Sequence, residues 1–153
     1  MKGAISGTLL AIVLVAEPAT TAADWVVKPG AGTACILESS PESIPDGYQT
    51  TAVRIRVDAK MVTVSSPSVF DPGFSDIGIA VDGEAMVPMD RLADPRTAAF
   101  ESQYAALVEQ FKRGLRARLQ LRFWPTWPPT GVHSATVSLI GFTRAWERLN
   151  ECK

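Results

Sequence analysis

The sequence predicts a mainly β protein, an antiparallel β-sandwich with one long inserted helix and a short C-terminal helix. Several stretches alternate apolar and polar residues with the period of a half-buried strand. These stretches follow one another without the regular helical crossovers that a parallel sheet requires. Only two stretches carry apolar residues at helical spacing. The 153 residues, 46% of them hydrophobic, suffice for a single core and rule out a multidomain protein.

The first half of the chain carries most of the strand patterns. In the clearest of them, Val53, Ile55 and Val57 share one face of a strand, and charged residues share the other. Asp82-Gly83 is a turn pair that is typical of a tight hairpin. The strand patterns cover residues 25–27, 34–37, 51–58, 60–66, 77–81 and 85–87.

A change of period predicts the long helix. Asp94-Pro95 has the form of a helix start, with an N-cap residue followed by a first-turn proline. Apolar residues then recur at helical spacing until Gly114, which indicates an amphipathic helix of about 18 residues. The short C-terminal helix is predicted from Phe142, Trp146 and Leu149, which recur at helical spacing.

The most regular strand pattern follows the long helix, at residues 115–123. One side is apolar, and the other is a row of cations that we call the arginine face, formed by Arg116, Arg118 and Arg122. Residues 124–131, the tryptophan loop, contain three prolines that a central strand would not tolerate, so we expect a stiff loop there. A further strand is predicted over residues 135–140.

Residues 1–23 have the pattern of a secretory signal, with a single lysine, a short apolar run and a tail of small residues. The run is much shorter than the roughly 20 apolar residues that span a bilayer. We expect cleavage after Ala23, which leaves residues 24–153 as a single β-sandwich domain, periplasmic or secreted, with no transmembrane span. A retained N-terminal anchor is the alternative interpretation.

The chain contains two cysteines, Cys35 and Cys152, near the two ends of the expected mature domain. An even number of cysteines in an exported protein favours a disulfide, and only one pairing is available. The bridge would join the last helix to the first strand. A redox-active pair is the alternative, but it usually requires a Cys-x-x-Cys spacing, which these two residues do not have.

Charge is unevenly distributed along the chain. The formal net charge is −1, which argues against a nucleic-acid-binding protein because phosphate recognition needs a basic excess. Residues 24–110 hold 6 basic and 13 acidic side chains, a net charge of −7, whereas residues 111–153 hold 8 and 2, a net charge of +6. The arginine face either pairs with acids on neighbouring strands or joins Arg54 and Arg56 in a basic surface. Such a surface would suit an anionic envelope polymer, a lipid headgroup or a partner protein.

Several motifs resemble those of a known family. Residues 69–74, Val-Phe-Asp-Pro-Gly-Phe, lead into the strand and turn at residues 77–83, and Phe-Lys-Arg-Gly at residues 111–114 precedes the arginine face. The most specific match is the stretch Val-Ser-Leu-Ile-Gly-Phe-Thr-Arg-Ala-Trp at residues 137–146. In this order, and with Trp25 near the mature start, they resemble the invasion-associated locus B family of exported bacterial proteins. That family is associated with host-cell colonisation in some pathogens, and it has no established catalytic residues.

The predicted binding site combines the tryptophan loop with the arginine face. Tryptophans on a proline-stiffened loop lose little conformational freedom on binding, and tryptophan is enriched among interface anchors. Alternatively, the two rings pack on the sandwich as a satellite of the core. We expect a non-enzymatic protein that binds or supports another envelope component, without a cofactor or metal. The candidate binding residues are Trp124, Trp127, Arg116, Arg118 and Arg122.

Enzymatic alternatives stay open. The acidic segment, residues 71–90, holds five carboxylates, and two of them a few ångströms apart could serve as general acid and base in a small envelope hydrolase. The same acids could bind a calcium ion, although Asp82-Gly83 is also an ordinary turn sequence. His133, beside Ser134, is the only histidine and therefore the only histidine base available to a catalytic serine. We expect it to lie in a solvated loop.

Overall fold

Two antiparallel sheets and two helices form the domain in the computed structural model, which describes residues 24–32, 34–125 and 131–152. The predicted signal, residues 1–23, lies outside the described residues. Among the helices of the described residues, none has the length and apolarity needed to cross a bilayer. The predicted fold class, a mainly β antiparallel sandwich with two helices, is confirmed.

The strands are numbered in chain order. They are β1 (Trp25–Pro29), β2 (Cys35–Ser39), β3 (Glu42–Pro45), β4 (Thr50–Val57), β5 (Val62–Ser65), β6 (Gly78–Val81), β7 (Val87–Pro88), β8 (Arg91–Asp94), β9 (Thr97–Phe100), β10 (Arg116–Leu121) and β11 (His133–Ser138). Helix α1 (Tyr104–Arg113) lies between β9 and β10, and helix α2 (Phe142–Glu151) follows β11.

The larger sheet has the strand order β1-β2-β4-β5-β9-β8, with β3 paired to the first half of β4. The smaller sheet has the order β11-β10-β6-β7. Because side chains alternate along a strand, every second residue of β4 and β10 points into the core. The buried residues of these two strands are Val53, Ile55, Val57, Ala117, Leu119 and Leu121, together with Thr51.

An aromatic cluster joins β1 to both helices. The ring of Phe142 lies 4.9 Å from that of Trp25 and 5.4 Å from that of Phe111, between centroids, and meets both edge to face. The Trp25 indole Nε1 donates a hydrogen bond of 2.8 Å to the carbonyl oxygen of Ser138, which ties β1 to β11 of the smaller sheet. The cluster therefore fixes one end of the sandwich.

The disulfide between Cys35 and Cys152 is present, as predicted, with 6.2 Å between the two Cα atoms. It connects the residue that follows α2 to the start of β2, rather than to the first strand. Helix α2 packs on both β1 and β2, the two strands at this edge of the larger sheet, so the residue after α2 lies within reach of β2.

The long helix is shorter than predicted. Asp94-Pro95 lies in the hairpin between β8 and β9, where the Asp94 carboxylate accepts a hydrogen bond of 2.7 Å from the backbone N–H of Arg96. An aspartate followed by proline serves a turn as readily as a helix start. Phe100 ends β9 instead of lying on the helix, because β9 pairs with β5 and buries it. Helix α1 therefore has ten residues.

The turn at Asp82-Gly83 is confirmed, and it connects β6 to β7, which begins at Val87 rather than at residue 85. Asp82 and Gly83 both have positive φ, 47° and 81°, as a tight hairpin turn of the mirror-image type requires. Asp82 also accepts hydrogen bonds from the backbone N–H groups of Leu115 and Arg116, so the same turn fixes the start of β10.

Candidate binding surfaces

The structure distributes the predicted binding residues along β10 and beyond its end. Arg116 and Arg118 lie in the first half of the strand, whereas Trp124 lies three positions beyond its last residue, Leu121. Arg116 and Trp124 are eight positions apart, which corresponds to roughly 26 Å of extended chain at about 3.3 Å per residue. Trp127 lies outside the described residues. The four described candidates therefore do not form one compact site.

Arg116 and Arg118 are exposed on the outer face of the smaller sheet. Arg116 lies opposite Ser138 and Arg118 opposite Thr136, so their cross-strand neighbours on β11 are hydroxyl residues. Within the described part of the chain, neither side chain forms an ion pair. One of the two alternatives for the arginine face was that it pairs with acids on adjacent strands. Arg116 and Arg118 form no such pair within the part of the chain that the structure describes.

Arg122, in contrast, is engaged within the protein. Its Nη2 lies 2.6 Å from Asp76 Oδ2, and the guanidinium carbon lies 4.4 Å from the centre of the Phe74 ring. The hydrogen bond to Asp76 raises the pKa of Arg122 and lowers the pKa of Asp76. Only 17% of the Arg122 side chain is exposed, so its charge serves mainly to hold the segment before β6 against β10.

Arg54 and Arg56 do not share a surface with the arginine face, and that expectation is wrong. They lie on β4 of the larger sheet, whereas β10 belongs to the smaller one. The outer faces of the two layers of a sandwich point away from each other. Both arginines instead approach Glu38 on β2, at 3.7 Å for Arg54 Nε and 2.7 Å for Arg56 Nε.

Trp124 stands at the wall of an apolar depression of about 420 Å³, which we call the Trp124 groove. Its side chain is 61% exposed, so it does not pack into the core. The backbone N–H of Trp124 donates to the Val69 carbonyl, and that of Phe70 donates to the Pro95 carbonyl, both at 2.8 Å. The groove is lined by Val69, Phe70, Pro72, Leu92, Asp94, Pro95 and Trp124.

The ring of Phe70 anchors the groove to the core. Phe70 is fully buried and stacks on Phe123, with 5.4 Å between ring centroids. Nearby, the hydroxyl of Tyr48 donates a hydrogen bond of 3.0 Å to the Pro125 carbonyl, which supports the chain just after Trp124. Sequence reasoning missed Tyr48, because its partner lies 77 residues away and no local pattern marks it.

The acids of the acidic segment each support a different part of the fold. Asp76 pairs with Arg122, Glu84 with Arg113, and Asp90 accepts from the backbone N–H groups that precede α1. A general acid at neutral pH needs a raised pKa. Hydrogen bonds lower the pKa of both Asp76 and Asp90 instead. Among residues 24–32, 34–125 and 131–152, no group of three or more potential metal ligands is clustered.

His133 was expected to lie in a solvated loop, and that expectation is wrong. It is the first residue of β11. It is half-buried, and its ring lies 5.6 Å from that of Phe123, between centroids. Because adjacent residues of a strand point to opposite faces, Ser134 turns away from the imidazole of His133. The pair therefore lacks the contact that a serine nucleophile needs with its base.

The fold is similar to a solved structure, the crystal structure of invasion associated protein B from Bartonella henselae. The TM-score is 0.59 at 18% sequence identity, and the alignment covers 86% of this chain and 94% of that chain. No family model matches the sequence, and no curated protein matches it significantly. The likeness shows a shared fold.

Proposed function

We propose that the chain is an exported, non-enzymatic binding protein of the bacterial cell envelope, related in role to the invasion-associated proteins. Export is supported by the signal pattern of residues 1–23 and by the disulfide, since disulfides persist in oxidising compartments. The shared fold with invasion associated protein B supports the same assignment. The candidate hydrolase residues make contacts within the fold instead: Asp76 pairs with Arg122, Asp90 accepts from the backbone N–H of Glu101, and His133 packs beside Phe123.

The Trp124 groove is the proposed contact site for a protein partner. The observation that carries the proposal is the exposure of Trp124, 61%, beside a groove whose floor is fixed by backbone hydrogen bonds. Large aromatic residues at the edge of a preformed apolar depression act as binding anchors, because little conformational entropy is lost when they are covered. An apolar side chain of an envelope protein is the chemistry that this groove accepts.

A capture experiment with residues 24–153 tests this proposal. Wild type, Trp124→Ala and Ile140→Ala are exposed to solubilised cell envelope, and bound components are identified by mass spectrometry. Ile140 is the matched control, because it is 67% exposed and lines a depression beside Arg116, away from the groove. We expect wild type and Ile140→Ala to retain a common component, and Trp124→Ala to retain at least about tenfold less, as for an interface anchor.

Equal retention by all three proteins would show that the groove is not the contact site. Turnover of a cell-wall or glycan substrate by the purified domain would contradict the non-enzymatic part of the proposal.

A further inference from the structure

The outer face of the larger sheet carries a polar depression of about 340 Å³, which we call the arginine pocket. Three arginines, three hydroxyl residues and one acid contribute to its wall, and the pocket lies on a different sheet from Arg116 and Arg118 of the arginine face. The lining residues are Arg54, Arg56, Ser65, Ser66, Pro67, Asp94, Arg96 and Thr97.

Strand register builds this pocket. Arg54 pairs with Ser65 across β4 and β5, and Ser65 pairs with Thr97 across β5 and β9, so the three residues form one row across the sheet. Their neighbours Val53, Val64 and Ala98 are fully buried, which places the row on the outer face. Arg96 adjoins the row at the start of β9. Asp94 pairs with Thr97 across β8 and β9, so one carboxylate lies at this end of the row beside Arg96, and Arg54 lies at the other end.

The pocket has an excess of positive charge. The Glu38 carboxylate has three cationic neighbours within 4 Å, namely Lys28 at 2.5 Å, Arg56 at 2.7 Å and Arg54 at 3.7 Å. Burial by itself would raise the pKa of Glu38, but hydrogen bonds from Lys28 and Arg56 outweigh it and lower that pKa. The lining itself holds three arginines and one acid, Asp94, a net charge of +2, and the adjoining Glu38 and Lys28 cancel each other.

Arg96 is held in place by the backbone. Its Nε donates a hydrogen bond of 2.7 Å to the Pro67 carbonyl, which leaves the terminal amino groups of the guanidinium available to a ligand. The Asp94 carboxylate accepts from the backbone N–H of Arg96 and stabilises the turn that carries it. A guanidinium that is already positioned loses less entropy when an anion binds.

We infer that the arginine pocket binds a tetrahedral oxyanion, a phosphate or sulfate group. Guanidinium groups form charge-assisted hydrogen bonds with such groups, and hydroxyls of Ser65 and Thr97 supply additional donors. Three guanidinium groups beside these hydroxyls suit an anion with three or four acceptor oxygens better than a carboxylate, which has two. Asp94 lines both this pocket and the Trp124 groove, but the arginines and hydroxyls that would hold the anion line only the pocket, so the inference does not depend on the proposed function.

The test uses inorganic phosphate as the probe, with residues 24–153 at low ionic strength. Binding is followed by NMR through the backbone amide signals of Ser65 and Thr97 in wild type, Arg54→Gln, Arg96→Gln and Arg118→Gln. Arg118 is the matched control, because it is an exposed arginine on the other sheet and its replacement changes the net charge equally. Thermal unfolding of each variant confirms that it is folded.

We expect saturable shifts in wild type and Arg118→Gln, and a Kd that is at least about tenfold higher in each pocket variant, the loss typical of a hydrogen bond to a charged group. Absence of saturable shifts would overturn the inference. Equal weakening by Arg118→Gln would also overturn it, since that result indicates diffuse attraction by net charge.

Two further arms distinguish the sources of the phosphate group. Glycerol 3-phosphate represents a soluble ligand, and phosphatidylcholine vesicles with or without phosphatidic acid represent a lipid headgroup. Binding in either arm that Arg54→Gln weakens supports the site and identifies its source. Binding in neither arm would contradict the proposed anion site, and so would binding that Arg54→Gln leaves unchanged.

Discussion

The pair of Asp76 and Arg122 shows how a single ionised residue stabilises this fold. Arg122 Nε lies 3.1 Å from Asp76 Oδ1, and its Nη2 lies 2.6 Å from Oδ2, so the guanidinium contacts both carboxylate oxygens. The hydrogen bonds from Arg122 lower the pKa of Asp76 and outweigh the smaller effect of burial. A lowered pKa in the folded state means that the ionised carboxylate stabilises folding above its ordinary pKa of about 3.9.

Replacing Asp76 by asparagine should therefore reduce the free energy of unfolding at neutral pH. We expect a loss of about 1 kcal/mol, because the pair is partly exposed and solvent screens it. The difference between wild type and Asp76→Asn should shrink as the pH falls through the lowered pKa of Asp76. Urea unfolding at pH 7 and near pH 3 measures both values.

Glu109→Gln is the control for this variant. Glu109 pairs with Lys112 on the surface of α1 and is 63% exposed, so its replacement should cost less than about 0.5 kcal/mol. A loss in Asp76→Asn that is the same at both pH values would show that the ion pair does not cause it.

At the scale of secondary-structure elements, the junction between α1 and β10 depends on Gly114. A Cβ atom added there would meet Val81 Cγ1, would lie 2.8 Å from the Gln110 carbonyl oxygen and would lie 3.1 Å from Leu139 Cδ1. The carbonyl belongs to the last turn of α1 and cannot move without breaking it. Only glycine therefore allows the helix to end this close to β6.

Gly114→Ala should destabilise the domain by about 2 kcal/mol, the usual cost of an overpacked core position. Gly73→Ala is a suitable comparison, because its added Cβ would meet only the Asp71 carboxylate, at 3.2 Å. We expect that variant to lose less than about 1 kcal/mol. Urea unfolding of both variants would refute the steric explanation if their losses were equal.

At the scale of the whole molecule, the disulfide joins elements that are far apart in sequence. Cys35 and Cys152 are separated by 117 positions, and the bridge fastens the end of α2 to β2. A cross-link over so long a loop restricts the unfolded chain strongly. It acts together with the aromatic cluster, in which Trp25 and Phe142 connect the same end of the sandwich.

Removal of the bridge should lower the free energy of unfolding by about 4–5 kcal/mol in the chain-entropy model. The measurement compares wild type with Cys35→Ala/Cys152→Ala in urea, with and without reductant. The reductant should not affect the double variant, which controls for its other actions.

Intact mass after thiol alkylation provides the direct check of the bridge. Wild type should gain two labels only after reduction. Labelling of the unreduced protein would contradict the bridge.

The sequence alone determined the features that depend on neighbouring residues. Alternation at β4 and β10 identified their inner faces, since side-chain direction repeats every two residues in any strand. Asp82-Gly83 was recognisable as a turn because its backbone conformation is set by local sterics. The disulfide followed from the presence of only two cysteines.

The tertiary structure decided what depends on strand pairing between distant segments. Asp94-Pro95 suits a helix start or a hairpin, and the pairing of β9 with β5 selected the hairpin. A surface shared by Arg54 and the arginine face was one of two alternatives open from the sequence, and the sheet order excludes it by placing them on different layers. The arginine pocket arises for the same reason, because only the register of β4, β5 and β9 brings Arg54, Ser65 and Thr97 into one row. Local patterns specify which way a side chain points, and long-range pairing specifies what it meets.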